Sequence, residues 1–243
     1  MLPYLSIIIP CFNEKKTIEI LIDKVLKVKS IKKQIILVDD NSSDGTRELI
    51  KKKLVFKVNK IIFHKKNLGK GACIKSAQEH IKGDIVIIQD SDLEYDPNDY
   101  HRLIKLIFNN SCKVVYGSRT LKKNINDDLE NFSHWVRIIG NYVLTKFSNL
   151  VNKQELTDAH TCYKAFEARL FKKILLKENN FNFCPEITTK LSNLNYKIIE
   201  VPISYFGRSY VEGKKISSLD GIRALVTILK YKFFDKNNLK FNL

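Results

Sequence analysis

The first half of the chain alternates short apolar runs with amphipathic segments, and this alternation constrains the fold more than any other feature. Apolar runs typical of buried strands occupy five segments: 5–9, 34–38, 58–63, 84–89 and 113–116. The first four are each followed by a segment with helical spacing or a helix start: 15–29, from near Thr46, 70–81 and 97–108. Such alternation predicts βαβ units in the largely parallel sheet of an α/β protein.

The second half of the chain is less regular. It is predicted to hold an apolar helix, a short strand with a helix, another helix, a strand and a last helix, at 133–151, 161–176, 184–194, 197–201 and 217–234. The last helix has large apolar residues on one face: Leu219, Ile222, Leu225, Val226, Leu229 and Phe233. We expect one domain over 1–235, with halves 1–120 and 121–235, and a loose tail over 236–243.

Net charge is the unusual bulk property. The 243 residues include 42 Lys and Arg against 26 Asp and Glu, a formal charge of +16. This charge fits nucleic acid, an anionic membrane surface or a phosphorylated substrate as partner. Because the lysines are scattered and no recognition motif occurs, we predict no nucleic-acid partner.

Cysteine usage and hydropathy indicate the compartment. The five cysteines are far apart and form no CxxC pair, which predicts reduced thiols in a cytoplasmic protein. No signal sequence is recognisable at the amino terminus, and no apolar run approaches the roughly 18 residues of a membrane span. If a membrane is involved, we expect the protein to lie against its cytoplasmic face.

Carboxylates follow two of the predicted strands at the point where each strand ends. Asp39 and Asp40 follow the second strand, and Asp90, Asp92 and Glu94 follow the fourth. In a parallel sheet both strand ends face one edge, where ligands bind. Alternate positions of an extended segment project the same way, so the D-x-D pair, with the glutamate, is a candidate site for one Mg²⁺ or Mn²⁺.

Competing interpretations of these acids and of the glycines fail on spacing. An EF-hand counted from Asp90 would need glycine at the sixth position and glutamate at the twelfth, where Tyr95 and His101 stand. Gly69-Lys70-Gly71 lacks the spacing of a P-loop and the Ser or Thr after its lysine. We interpret Asp44 and Asp96 as turn and helix-cap residues.

A divalent ion held at a strand end usually has a phosphate partner, which points to a nucleotide diphosphate. Basic residues must complete such a site. Arg119 follows the fifth strand at the same edge. Arg208, Lys214 and Lys215 lie in a glycine-containing segment of the kind that closes over substrates.

Four motifs occur in order along the first half of the chain. They are Ile7-Ile8-Ile9-Pro10-Cys11-Phe12-Asn13-Glu14, Val38-Asp39-Asp40-Asn41-Ser42-Ser43-Asp44-Gly45-Thr46, Asn67-Leu68-Gly69-Lys70-Gly71 and Asp90-Ser91-Asp92-Leu93-Glu94. Together they resemble family 2 glycosyltransferases of the GT-A fold. The segments 157–164, 200–203 and 208–215 resemble one branch of that family, the dolichol-phosphate mannosyltransferase-like and undecaprenyl-phosphate glycosyltransferases. The resemblance extends to about Tyr231.

The resemblance implies roles for individual positions. The base and ribose of a nucleotide sugar would be held by Pro10, Phe12, Glu14, Val38 and Asp40, and Phe12 stands where the family often has Tyr. The metal would be held by Asp90, Asp92 and Glu94, with Ser91 behind the diphosphate. The catalytic set would be Asp90, Asp92, Arg119, Arg208 and Lys214, and the acceptor phosphate would be met by Arg119, Arg137 and Lys215.

The implied reaction is inverting transfer of mannose or glucose to a polyprenyl phosphate, dolichyl or undecaprenyl, at a membrane surface. The donor would be of the GDP-mannose or UDP-glucose type, bound by the 1–120 half, and the 121–235 half would face acceptor and membrane. Glu94 stands where Gln is frequent in the mannosyltransferases, which weakens the assignment of mannose.

Alternatives remain at the level of the sequence. A hydroxyl acceptor would need a carboxylate base, for which Asp158 is the candidate if it does not bridge the two halves. A non-catalytic binder is disfavoured by the intact D-x-D. The helices over 133–151 and 217–234 would lie in the bilayer interface, or pack on the sheet, a partner membrane subunit or a second copy of the chain.

Overall fold

The computed structural model describes residues 3–121, 132–207 and 218–240, apart from the side chains of 132–138 and 218–219. The strands are β1 (Tyr4–Cys11), β2 (Lys32–Asp39), β3 (Lys60–Phe63), β4 (Ile85–Ile88), β5 (Val114–Ser118), β6 (Lys164–Glu167) and β7 (Ile199–Pro202). The helices are α1 (Ile18–Lys27), α2 (Thr46–Leu49), α3 (Lys70–Gln78), α4 (Tyr100–Phe108), α5 (Phe132–Asn152), α6 (Ala168–Lys173), α7 (Phe183–Asn193) and α8 (Ser218–Leu229). Short π or 3₁₀ turns adjoin α2, α4 and α8, at Ile50–Leu54, Pro97–Asp99 and Lys230–Phe234. Each predicted element is present, with its ends displaced by a few residues.

In the described chain, seven strands form one sheet in the order β3-β2-β1-β4-β6-β5-β7. β6 runs antiparallel to both of its neighbours, β4 and β5, and the other pairings are parallel. The expected α/β architecture with a mainly parallel sheet is therefore confirmed. The carboxyl ends of β1, β2, β4 and β5 share one edge.

Helices cover both faces of the sheet. Alternate residues of β1 serve the two faces, because successive strand side chains point in opposite directions. Leu5, Ile7 and Ile9 pack among residues of α1 and α4, whereas Ile8 packs among residues of α3, α6 and α7. β4 is buried at every position, as expected for a strand covered on both faces. Burial of these strands fixes the polar residues that follow them at the edge of the sheet.

Helices α5 and α8 form an outer pair that contacts α7. The residues they bury are mostly small or polar: Thr145, Ser148 and Asn152 on α5, and Ala224, Thr227 and Ile228 on α8. Large exposed apolar residues form what we call the outward stripe: Ile139, Tyr142, Val143 and Leu150 on α5, Ile222, Val226 and Leu229 on α8, and Phe233 in the turn after α8. The expectation that the apolar face of α8 packs on the sheet is wrong. No helix in the described ranges is long and apolar enough to cross a membrane.

The segment after Asp235 is bound to the domain as far as the structure describes it. Asn238 accepts a hydrogen bond from the N–H of Leu175 at 3.0 Å, and the N–H of Lys240 donates to the carbonyl of Lys173 at 2.8 Å. As far as Lys240, the segment therefore pairs with the end of α6 and the chain that follows it.

Candidate active site

The carboxyl ends of β1 and β2 bring three predicted donor-binding residues together. Pro10 and Val38 are register partners in the parallel ladder. Asp40 is buried just beyond the end of β2, and its N–H donates to the carbonyl of Cys11 at 2.8 Å. These positions therefore form one wall at the sheet edge, as the order of the motifs implied.

Phe12 and Glu14 lie in the loop between β1 and α1. The carboxylate of Glu14 accepts a hydrogen bond from the hydroxyl of Thr17 at 2.7 Å, and its N–H donates to the hydroxyl of Thr46 at 2.9 Å. Phe12 is half-buried. The loop is thereby tied to the starts of α1 and α2 beside the wall formed by Pro10 and Val38.

The carboxylate of Asp40 organises the next motif along the chain. It lies 2.6 Å from His64 Nδ1 and accepts the N–H groups of Leu68 and Gly69 at 3.0 and 2.7 Å. His64 Nε2 lies 2.9 Å from the hydroxyl of Ser76 on α3. The acid that the sequence assigned to the donor thus also holds the turn that starts α3.

Gly69 has no substitute in this turn. Its φ of +94° and ψ of 165° lie in a region that only glycine adopts without strain. A Cβ would lie 2.2 Å from Asn180 Oδ1 and 2.6 Å from the carbonyl oxygen of Asn179. We expect Gly69→Ala to lower the free energy of unfolding by about 3 kcal/mol or more, from strain plus overlap.

Gly140 on α5 provides the matched control for this prediction, because a Cβ there meets no atom within 4 Å. Gly140→Ala should raise stability by about 0.5–1 kcal/mol, since alanine is the better helix former. Denaturant unfolding of both variants is the measurement. Equal effects of the two substitutions would contradict the role assigned to the turn.

The D-x-D loop after β4 is fixed from beneath by Gln89. The buried Gln89 Oε1 accepts the hydroxyls of Tyr100 and Tyr163 at 2.7 and 2.6 Å, and its amide donates to the carbonyl of Asp90 at 3.0 Å. Asp92 Oδ1 accepts the N–H of Glu94 at 3.2 Å. These contacts hold the two aspartates at the tip of the strand.

Lys70, at the start of α3, forms an ion pair with Asp90 and donates to Cys162 Sγ at 3.0 Å. Burial alone would lower the pKa of Lys70, but the charge of Asp90 raises it, so the ammonium stays charged. Burial and the same carboxylate raise the pKa of Cys162 to about 12, so the thiol is protonated at neutral pH. Sequence reasoning gave Lys70 no role, although its position after Gly69 at the site edge was a signal.

Glu94 connects the D-x-D loop to the end of the segment after β7. Its Oε2 accepts the hydroxyl of Tyr205 at 2.8 Å, and its carbonyl accepts the N–H of Phe206 at 2.9 Å. Among the described residues, the set of three metal-ligating side chains with mutually close donor atoms is Asp40, His64 and Cys73, not the three acids of the loop. The role of Glu94 as a third metal ligand stays a prediction.

Arg119, which follows β5, and Asp158 form a bidentate ion pair. Arg119 Nε and Nη2 donate to the two carboxylate oxygens at 2.6 and 2.8 Å, and Asn141 donates to the same carboxylate at 3.2 Å. Burial would raise the pKa of the fully buried Asp158, but the charge and hydrogen bonds of Arg119 hold it below its usual range. The backbone N–H of Asp158 donates to Glu200 of β7 at 2.9 Å. Asp158 therefore bridges the two halves, as one of the two expectations stated.

The remaining predicted residues are placed only in part. Ser91 is buried in the D-x-D loop. Arg208, Lys214 and Lys215 lie outside the described residues, as does the side chain of Arg137 on α5. Asp44 and Asp96 make the expected local contacts, accepting the N–H groups of Thr46 and Asn98 at 3.0 Å each.

The motifs at this edge agree with a known family. The profile of the family described as "Glycosyl transferase family 2" matches residues 6–175 of the 243. The chain belongs to this family. Among its relatives is the uncharacterized protein MJ1222 of Methanocaldococcus jannaschii, 30% identical over 94% of this chain and 92% of that protein. Another is dolichyl-phosphate beta-glucosyltransferase ALG5A of Trichomonas vaginalis, 26% identical over 96% of this chain and 74% of that protein.

Solved structures show the same architecture for this family 2 glycosyltransferase. One is glucosyl-3-phosphoglycerate synthase from Mycobacterium tuberculosis in complex with Mn²⁺, uridine-diphosphate and phosphoglyceric acid. Its TM-score is 0.70 at 16% identity, over 95% of this chain and 79% of that chain. The GT-A fold expected from the sequence is confirmed.

Proposed function

We propose that this glycosyltransferase transfers a hexose, of the UDP-glucose type, to the phosphate of a polyprenol at a membrane surface. The observation that carries the proposal is the outward stripe, because α5 and α8 expose their large apolar side chains and bury small and polar ones. An amphipathic helix that keeps its apolar face outward suits the interface of a bilayer. Lys146, Arg223 and Lys230 are exposed beside the stripe and would meet anionic headgroups.

The state of Asp158 supports a phosphate acceptor. A hydroxyl acceptor would need a carboxylate base, and Asp158 is committed to Arg119 and Asn141 instead. A phosphate acceptor is anionic at pH 7 and needs no strong base. Orientation of the two anionic partners is then the main task, and it would fall to Arg208 and Lys214, since Nε and Nη2 of Arg119 already bind Asp158.

The donor set at the edge of the sheet suits a divalent cation. Asp90 and Asp92 offer only carboxylate oxygens, which are ligands for Mg²⁺ or Mn²⁺. A metal ion bound there would act as a Lewis acid on the departing diphosphate. Lys70 supplies a second positive charge at Asp90, and we infer that it also contacts the diphosphate. Pro10, Val38 and Asp40 would hold the nucleoside.

The neighbours named above support the choice of sugar and base. The dolichyl-phosphate beta-glucosyltransferase relative and the uridine-diphosphate-bound fold neighbour favour a UDP-glucose donor over GDP-mannose. Glu94, in the position where the mannosyltransferases often have Gln, agrees with that choice.

A transfer assay with labelled donors tests the proposal. UDP-glucose and GDP-mannose are each supplied with Mn²⁺ and one of three acceptors: dolichyl phosphate, undecaprenyl phosphate or 3-phosphoglycerate. We expect labelled lipid from UDP-glucose with a polyprenyl phosphate. Transfer to 3-phosphoglycerate alone would reject the lipid acceptor in favour of a soluble one. Labelling of the lipid from GDP-mannose alone would reject UDP-glucose as the donor.

A further inference from the structure

A polar groove lies away from the site described above. It is an open groove of about 720 Å³. Its walls are the carboxyl ends of α5 and α7, the residues that follow each helix, and the segment 232–238. Lys197, which lines it, precedes β7, and β7 runs parallel to β5. The groove is therefore at the amino-end edge of the sheet, opposite the edge that carries Asp90.

Positive charge dominates the lining of the groove. It includes four lysines, Lys153, Lys197, Lys232 and Lys236, and one carboxylate, Glu155. Most of the other lining residues are asparagine, glutamine or serine, and Asn152, Gln154, Ser192 and Asn193 already donate hydrogen bonds within the protein. The lysines are therefore the groups that would bind a ligand, and ammonium groups without matching acids are the chemistry of a phosphate site.

Two of the lysines, Lys153 and Lys232, lie close enough for their charges to interact. Lys232 is only partly exposed, and its Nζ lies 3.3 Å from the hydroxyl of Ser192. Burial, followed by the neighbouring charge of Lys153, lowers its pKa. The ends of α5 and α7 carry partial negative charge, which accounts for a cation at each helix end. It does not account for four lysines from three separate segments, and a bound anion would offset the repulsion between Lys153 and Lys232.

Apolar side chains border the groove on the side of the outward stripe. Phe233 and Phe234 are neighbours of Lys232 in sequence, and Leu150 lies one turn before Lys153. All three are exposed, Phe234 to 85% and Leu150 to 79%. We propose that this groove binds a phosphate group, and its apolar border points to the headgroup of an anionic phospholipid as the source.

Vesicle binding is the first test. We compare wild type, the Lys153→Gln/Lys232→Gln variant and a charge-matched control, Lys27→Gln/Lys29→Gln, whose lysines are exposed and lie outside the groove. Each is sedimented with phosphatidylcholine vesicles with and without phosphatidylglycerol. We expect the groove variant to bind the anionic vesicles roughly 25-fold more weakly, since each lysine near such a surface changes affinity about fivefold. The control should change less than about threefold, because charges farther than a Debye length are screened.

Thermal stabilisation by glycerol 1-phosphate is the second test and separates a free phosphate ester from a lipid. Suppose that glycerol 1-phosphate stabilises wild type but not the groove variant, and that wild type shows no preference for anionic vesicles. The groove is then a phosphate site, and its ligand is a soluble ester. Lys153→Arg/Lys232→Arg should retain wild-type binding in either arm. Equal loss in groove and control variants, or no response of wild type to either probe, overturns the proposal.

The transfer reaction is not needed for this inference. Lys153 and Lys232 are at the opposite edge of the sheet from the D-x-D loop, so glycosyl transfer to a detergent-dispersed acceptor should be the same in wild type and groove variant. Failure of the transfer assay with intact vesicle binding would therefore reject the proposed reaction and leave the groove in place.

Discussion

Asp92→Asn should lower kcat by about a thousandfold while the protein stays folded. Asparagine keeps the oxygen that accepts the N–H of Glu94, so the loop retains its shape and only the charge is lost. If the metal ion rests on Asp90 and Asp92, the diphosphate loses the stabilisation that the ion provides as it departs. A factor of a thousand corresponds to about 4 kcal/mol in the activation barrier. Steady-state kinetics at saturating Mn²⁺ and donor measure it.

Asp96→Asn is the matched control within the same loop. Asp96 Oδ1 caps the turn before α4 by accepting the N–H of Asn98 at 3.0 Å, and asparagine is an equally good cap. We expect its kcat to stay within about twofold of wild type, since surface changes of this kind have small effects. Undiminished turnover of Asp92→Asn would reject the metal site at the D-x-D.

Asp158→Asn should destabilise the fold by about 3 kcal/mol, because it removes the buried partner of Arg119. For a chain of this length the melting temperature should fall by roughly 6–12 °C. Since the pKa of Asp158 is held below its usual range, the carboxylate contributes its full stability above about pH 4 and loses it as the pH falls through the folded-state pKa. Thermal melts at pH 7 of wild type and variant provide the comparison.

The same variant separates a structural role of Asp158 from a catalytic one. If Asp158 acts only as a bridge, Asp158→Asn should leave the shape of the pH profile of kcat/KM unchanged. Adding Arg119→Met to this variant should then recover part of the lost stability. Asp84→Asn, at an exposed aspartate, should leave the melting temperature unchanged. The opposite result would be a stable Asp158→Asn protein in which the acidic limb of the kcat/KM pH profile has disappeared. It would identify Asp158 as the base and favour a hydroxyl acceptor.

Much of the site was predictable because strands and turns leave local signals. The apolar run before Asp90 fixes a strand, and parallel alternation brings its end beside that of the strand before Asp40. Caps such as Asp96 are likewise local, since the backbone N–H groups that donate to them lie two or three residues away. Periodicity alone therefore indicated the sheet edge at which both strands end.

Contacts between distant segments left no comparable signal. Lys70 reaches Asp90 across 20 residues and Cys162 across 92, and no spacing rule connects them. The apolar stripe of α8 was correctly located by helical spacing, but its direction was left open. Periodicity identifies a face without stating what covers it, and here α8 buries Ala224 and Thr227 instead of Ile222 and Val226.

The position of β6 in the sheet has a consequence for how the chain acquires its structure. In the described sheet β5 has β6 and β7 as partners, and both are later in sequence. A fragment ending at residue 121 would hold β5 without a hydrogen-bonding neighbour. It would also leave one edge of β4 unpaired, and an unpaired strand edge promotes aggregation. We therefore expect β5 of a nascent chain to join the sheet only after residue 167 has left the ribosome, and the sheet to be complete only after residue 202. The two halves of the domain then form together, in one cooperative transition.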